Sequence, residues 1–425
     1  MHGDGCANGR SGLARYLRIL LFGVGGVLLL LVGFGAGVGA MWFVGADLQR
    51  AVSTLVPGQS APAVAASPEE SLDLLHDVWT ILQDEYVDPE DLEHQEMLRS
   101  AASGMVEAVG DPHTVFVEPL SASIMDQDMR GSFEGIGVSV DMVDGRIVIV
   151  RPLATSPAFH AGIQEGDIIV AVDGEPLEGK TLTEVISMIR GPRGTVVRLL
   201  IEREGVAEPF VVPVTREKVE LPTVESRMVE GGIAYVRLTE FNAIAHDRLR
   251  EALKELLEQE PKGLIFDLRG NPGGYLDMAV EVAGEFLPKG TLVLTENQRD
   301  REPREYRVRG QGLATDVPLV VLVDGGSASA SEIVAGAIRD HQRGTLIGEV
   351  TYGKGSVQNP HRLADGSSLR VTIARWYLPN GDNLDGALGQ RGIVPDVEVK
   401  PSPEEVQAGK DPQLDRAVAF LMNGE

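Results

Sequence analysis

Twice in its second half the chain runs from a short apolar stretch straight into a glycine-rich turn and out into helical spacing. The first copy is Gly263-Leu264-Ile265-Phe266-Asp267-Leu268, then Arg269-Gly270-Asn271-Pro272-Gly273-Gly274, then a helical pattern from Tyr275 to Phe286. The second is Pro318 to Val323, then Asp324-Gly325-Gly326-Ser327-Ala328-Ser329-Ala330-Ser331-Glu332, with helical spacing from Ile333. Ile233 to Leu238 adds a strand and His246 to Gln259 a helix. Strand, tight turn and helix in repetition indicate an α/β core.

Such turns expose backbone N–H groups and a short side chain at a helix N-terminus, where partial positive charge favours an anion. A serine there is a candidate nucleophile, and a nearby glycine turn a candidate oxyanion site. Neither turn has the Walker pattern of a phosphate loop. Ser329-Ala330-Ser331-Glu332 also reads as a capping box, in which the Ser329 hydroxyl only caps the helix. A serine nucleophile needs a base. His341 is the nearest histidine in sequence, but among Arg339, Asp340, Gln342 and Arg343 it reads as a solvated helix end. Lys354, between glycines in Thr351-Tyr352-Gly353-Lys354-Gly355-Ser356, is the other candidate, since a desolvated lysine can act as a base.

Upstream, from about Gly131 to Lys218, short β-branched runs alternate with Gly, Pro and Asp. Arg146 to Val150, Asp167 to Val172 and Thr195 to Glu202 read as strands, and Thr181 to Arg190 as a helix. Phe133-Glu134-Gly135-Ile136-Gly137, Ser156-Pro157-Ala158 with Ala161-Gly162-Ile163, and Gly166-Asp167-Ile168-Ile169 together resemble a PDZ domain. The resemblance implies that an extended C-terminal peptide adds as a strand, its carboxylate held by the loop Gly135, Ile136, Gly137 and Val138.

With that segment, the run from Ser327 to Gln358 resembles the carboxyl-terminal processing, or tail-specific, proteases, and the similarity extends over most of residues 70–400. The resemblance implies a crotonase/ClpP-like α/β protease core with an inserted PDZ domain. It makes Ser329 the nucleophile and Lys354, 25 positions on, its base. Gln358, one helical turn beyond, orients the lysine amine. The oxyanion hole comes from the N–H of Ala330 and of Gly273 or Gly274, without a choice between the two glycines. Ser367 to Pro379 and Gly392-Ile393-Val394-Pro395-Asp396 match the end of the core. Asp382-Asn383-Leu384-Asp385 departs from the pattern, where a basic residue is common. Arg190 is a candidate contact for gating of the protease by the PDZ domain. No cofactor is expected, and no His-Glu-x-x-His metal motif occurs. Two alternatives are a non-catalytic tail-binding scaffold and a crotonase-like acyl hydrolase, the second lacking a use for a peptide module.

The N-terminus sets location. Residues 1–18 carry Arg10, Arg15 and Arg18 against Asp4, and Ile19 to Ala46 has no charged residue. A helix of that length spans roughly 42 Å, more than the ~30 Å bilayer core requires. The flanking arginines put residues 1–18 in the cytoplasm and everything after a 19–46 anchor outside the cell membrane. A cleaved secretory signal ending near Val38-Gly39-Ala40 is the alternative. Residues 47–68 read as a linker and 69–122 as a helical module, through which the resemblance implies a homodimer. The PDZ domain is expected over 123–219, the protease core over 220–400 and a helical segment over 401–425. The net charge of −25 argues against tracking of nucleic-acid phosphates. The lone Cys6 leaves the exported part without cysteine. The expected substrates are proteins with apolar C-terminal tails.

Overall fold

The computed structural model describes residues 68–385 and 391–424. The N-terminus, the anchor and the linker as far as residue 67 lie outside them, and among the described residues no helix is long and apolar enough to cross a membrane. The chain divides into two units, one ending at Leu92 and one beginning at Glu93. Of the first, the structure describes the helix Pro68–Glu85 and a short 3-10 turn, Pro89–Asp91.

The second unit is built on a six-stranded sheet in the order Val224–Val229, Ile233–Leu238, Leu264–Asp267, Leu319–Val323, Thr345–Gly348, Val397–Glu398. The first pair is antiparallel and the others are parallel. Strand alternation sends Ala234, Val236, Phe266 and Val321 to one face, where the helices Ala245–Leu257, Leu276–Ala283 and Ala330–Asp340 cover them. Ile233, Tyr235, Ile265 and Val320 pack on the other face against the helix Pro412–Asn423 through Ala417. Parallel strands covered on both faces must be apolar throughout, which explains the continuous runs in the sequence.

The helical segment expected over 401–425 includes the helix Pro412–Asn423, which is therefore a layer of the core. Asp411 caps its helix by accepting from the Leu414 N–H (3.0 Å), and Arg269 bridges Asp411 (2.7 Å) to the buried Asp267 (2.6 Å). The expected module 69–122 also divides. Beyond the helix His94–Glu107, Val115–Val117 pairs with Ser368–Tyr377 in a second sheet that includes Leu292–Gln298, Arg304–Arg307 and Ser356–Arg362. That ladder joins an early segment to the end of the core.

The β-rich insert enters on Ser132–Gly135 and leaves on Glu217–Glu220, which pair with each other. Inside, the strands Val138–Val143, Arg146–Pro152, Ile168–Val172, Val196–Glu202 and Phe210–Thr215 follow in that order. Val138–Val143 is an edge, and the helix Leu182–Ile189 starts from a complete capping box of Thr181 and Glu184. For the candidate site the decisive fact lies in the central sheet: Leu264–Asp267 and Leu319–Val323 are parallel neighbours in register, Phe266 opposite Val321. The two glycine turns at their C-terminal ends emerge side by side, the usual place for a ligand in an α/β sheet.

Candidate active site

Three serines follow the Leu319–Val323 strand, and the middle one differs from its neighbours in that its hydroxyl does not tie one turn to the other. Ser327 Oγ donates to the Leu268 carbonyl (2.8 Å) and accepts from the Asp324 N–H (3.0 Å). Ser331 Oγ donates to the Asn271 carbonyl (2.9 Å). Both residues are fully buried, and both hydroxyls pin one glycine turn to the other. Ser329 is only partly buried and has φ 54° and ψ −111° at the start of the helix Ala330–Asp340. A left-handed φ at a non-glycine residue costs about 1–3 kcal/mol and persists only where its surroundings impose it.

Asn271 and Asp324 impose it. Buried Asn271 donates from Nδ2 to the Leu238 carbonyl (2.8 Å), accepts the Gly273 N–H on Oδ1 (2.9 Å), and accepts the Ala328 N–H on its own carbonyl (3.0 Å). Asp324 Oδ1 accepts the N–H groups of Gly270 (2.8 Å) and Gly326 (2.9 Å). Gly273, at φ +101°, lies so close to the serine turn that a Cβ there would sit 2.9 Å from both the Ala330 nitrogen and Ser329 Cβ. Gly274 passes equally close to Phe241, where a Cβ would meet its carbonyl oxygen at 2.3 Å. Glycine is required at both places, and the loop is thereby held beside Ser329 and the first N–H of the helix.

Glu332 joins this turn to the lysine segment. Its carboxylate is fully buried and accepts the N–H groups of Ser329 (2.8 Å), Gly353 (2.7 Å) and Lys354 (2.9 Å), together with the Thr351 hydroxyl (2.5 Å). Burial pushes its carboxyl above the usual range, and the four donors pull it part of the way back. Lys354 is held below the ordinary lysine value, chiefly by burial and next by the charge of Arg370, while Asp385, Glu332 and Asp111 act in the opposite sense. Gly355, beside it, is gripped from both sides: its N–H donates to Asp385 (2.5 Å) and its carbonyl accepts from Asn383 Nδ2 (3.0 Å). The acidic loop that departs from the expected pattern thus braces the lysine segment.

Gln358 requires a correction. Residues Ser356–Arg362 form a strand, so four positions beyond Lys354 is not one helical turn. Its Nε2 donates to Ser356 Oγ (3.0 Å) and Thr372 Oγ1 (3.2 Å). His341 caps the far end of the Ala330–Asp340 helix, with Nε2 at 2.7 Å from the Leu292 carbonyl, away from Ser329.

In the insert, Gly135, Ile136, Gly137 and Val138 connect the incoming strand to the edge strand. Ser156 Oγ donates to the Gly137 carbonyl (2.9 Å) and fixes that connection. Between the edge strand and the helix Leu182–Ile189 lies a groove of about 190 Å³ lined by Ile136, Val138, Val140, Ile186 and Ile189. Arg190 closes one end of it. Its guanidinium lies 4.2 Å over the Phe133 ring and pairs with Asp128 (2.9 Å), and its Nη1 is buried without a hydrogen-bond partner.

Several contributors escaped the sequence reading: Glu332 as a hub, Asn271, Asp324, and the turn Asp111-Pro112-His113-Thr114. The Ser-x-x-Glu spacing was the one local signal for Glu332, and it reads equally well as a helix cap.

The profile of Peptidase family S41 matches residues 232–399, and that of the PDZ domain matches residues 148–203. The chain is 38% identical over 335 residues to a carboxy-terminal-processing protease of Bartonella bacilliformis, covering 77% of this chain and 75% of that protein. It is 32% identical over 397 residues to carboxy-terminal processing protease CtpB of Bacillus subtilis, covering 91% and 81%. Among solved structures, a photosystem II D1 C-terminal processing protease aligns at 28% identity with a TM-score of 0.46, over 80% of this chain and 96% of that one. The chain belongs to peptidase family S41, the carboxy-terminal processing proteases, and is a serine-type endopeptidase that carries a PDZ domain.

Proposed function

We propose that this endopeptidase captures the apolar C-terminal tail of an exported protein in its PDZ groove and cuts the chain through a Ser329–Lys354 dyad. The observation that carries the reading is the Glu332 carboxylate, which ties the Ser329 N–H and the Lys354 N–H to one buried group. Neutral Lys354 takes the Ser329 proton as Oγ attacks the scissile carbonyl. The lysine then delivers the proton to the leaving amine, and water hydrolyses the acyl-enzyme. Ala330 supplies one oxyanion donor. Because the Gly273 N–H is committed to Asn271, the second donor falls to Gly274.

The substrate tail adds to the free edge of Val138–Val143, with its last side chain among Ile136, Ile186 and Ile189 and its carboxylate against the 135–138 loop. Arg190 acts as the gate, since its pairs with Asp128 and Phe133 connect the groove to the segment leading into the insert. An Arg190→Ala enzyme is expected to lose most of its activation by an added apolar-tailed peptide while its activity without that peptide changes less than about twofold. Unchanged activation would remove Arg190 from the gate.

Residues 19–46 anchor the enzyme in the cell membrane, with the catalytic body outside. The exposed Leu72, Leu75, Val78 and Ile81 on the Pro68–Glu85 helix suit self-association into a homodimer. One experiment on the full chain expressed in bacterial cells tests the whole. A fluorophosphonate should label Ser329, the labelled protein should stay in alkali-washed membranes, and in detergent it should sediment as a dimer. Absence of label removes the mechanism, release from membranes the anchor, and a monomer the self-association.

A further inference from the structure

Gln358 is held by two hydroxyls, and which end of an amide faces a hydroxyl depends on what else that hydroxyl binds. Behind Thr372 lies the turn Asp111-Pro112-His113-Thr114, brought there from a distant part of the chain by the ladder between Val115–Val117 and Ser368–Tyr377. Asp111 accepts the His113 N–H (3.1 Å) and the Thr114 hydroxyl (2.6 Å), and Thr114 Oγ1 accepts the Thr372 N–H (3.1 Å). Thr114 thus joins the Asp111 carboxylate to the Thr372 backbone, and the Thr372 hydroxyl accepts from Gln358 Nε2 (3.2 Å). A carboxylate only accepts, so it takes the Thr114 hydroxyl proton and leaves the Thr114 lone pairs to hold the Thr372 N–H. Thr372 is thereby fixed where its hydroxyl meets Gln358 Nε2, and Oε1 turns the other way.

We propose that Asp111 is a positioning residue that acts through Thr372 to hold the Gln358 amide with Oε1 available to the Lys354 amine. The inference rests on the reading of Lys354 as the base. A neutral amine has two N–H bonds and one lone pair, and an acceptor that holds an N–H directs the lone pair elsewhere, here to Ser329. The charged groups facing Lys354 are Arg370, Asp385, Glu332 and Asp111, with His113 on the same turn as Asp111.

In Asp111→Asn the new NH₂ group donates to the Thr114 hydroxyl and competes for the lone pair that holds the Thr372 N–H, so Thr372 no longer fixes the Gln358 amide. The expected loss is roughly tenfold or more in kcat, with the Kd of a tail peptide unchanged. The rising limb of the pH profile moves to lower pH, because a negative charge that favoured lysine protonation is gone. Thr372→Val, which keeps the charge, lowers kcat with a smaller shift of the limb and serves as the second arm should Asp111→Asn fold poorly. The deciding measurement is kcat in a Gln358→Ala background, where neither substitution should lower it further. If Gln358→Ala alone leaves kcat unchanged, the orienting role of Gln358 is wrong. If it lowers kcat and the second substitution adds its full loss, the relay from Asp111 is wrong.

Discussion

A Ser329→Ala chain is expected to fold, bind tail peptides with unchanged affinity, and lose peptide hydrolysis by roughly 10⁴–10⁶-fold, the scale of losing a hydrolase nucleophile. Its neighbours supply the control that makes this specific. Ser327→Ala removes the donor to the Leu268 carbonyl and Ser331→Ala the donor to the Asn271 carbonyl, both in buried positions. The Asn271 and Leu268 carbonyls each keep a backbone donor, and Ser327→Ala also strips the Asp324 N–H of its acceptor, so the cost is about 0.5–1.5 kcal/mol for each hydrogen bond lost. Those two variants should therefore lower the unfolding midpoint while the folded fraction still turns over substrate, whereas Ser329→Ala should do the reverse. The Ser329 backbone points the same way: glycine adopts a left-handed φ without the Cβ penalty, so Ser329→Gly should match or exceed the wild-type midpoint while being as inactive as Ser329→Ala. Equal activity losses in the alanine variants of all three serines would mean that the turn as a whole, and not the Ser329 hydroxyl, performs the chemistry.

How much of this was legible follows from the range of the interactions. Ile233–Leu238 and the apolar runs before the two turns declare themselves because burial on both faces leaves a local pattern, and their helices follow from period and spacing. That the two turns meet is a consequence of strand order, with Leu264–Asp267 beside Leu319–Val323, and no local pattern encodes strand order. The same limit hid Glu332, whose Gly353 and Thr351 partners lie about twenty residues away, so that only its contact with the Ser329 N–H was visible, as a cap. Asp111 is further out still, since its turn reaches Thr372 across most of the chain. Gln358 is not recognisable as a strand residue because glycines on both sides of Lys354 erase periodicity, and the strand that follows is set by pairing with Ser368–Tyr377. Residues 401–425 read only as a helical segment for a related reason: an amphipathic helix shows that it has an apolar face but not which surface that face covers.

The second large effect is expected at Lys354. Lys354→Met should abolish turnover to within the background of Ser329→Ala, because the serine hydroxyl then has no acceptor for its proton, and the double variant should be no worse than either single one. In the wild-type enzyme kcat/KM should rise with pH along a limb lying below the ordinary lysine value of 10.5, since only the neutral amine can take the proton. Arg370→Gln should move that limb to higher pH, because the arginine is the largest charge opposing protonation of the lysine. The same shift fixes the sign of a stability effect. Between the depressed folded value and 10.5 the unfolded chain binds a proton that the folded chain does not, so this group's contribution to stability rises with pH across that window. Below the window both states hold the proton, and the folded state bears the whole cost of a buried ammonium. Lys354→Met, similar in length and without charge, should therefore raise stability by about 1 kcal/mol at pH values below the window, with the gain fading as pH climbs through it. A variant that is inactive yet less stable than wild type at every pH would show that the ammonium is stabilised where it sits, and a lysine so stabilised cannot be the neutral base that the dyad requires.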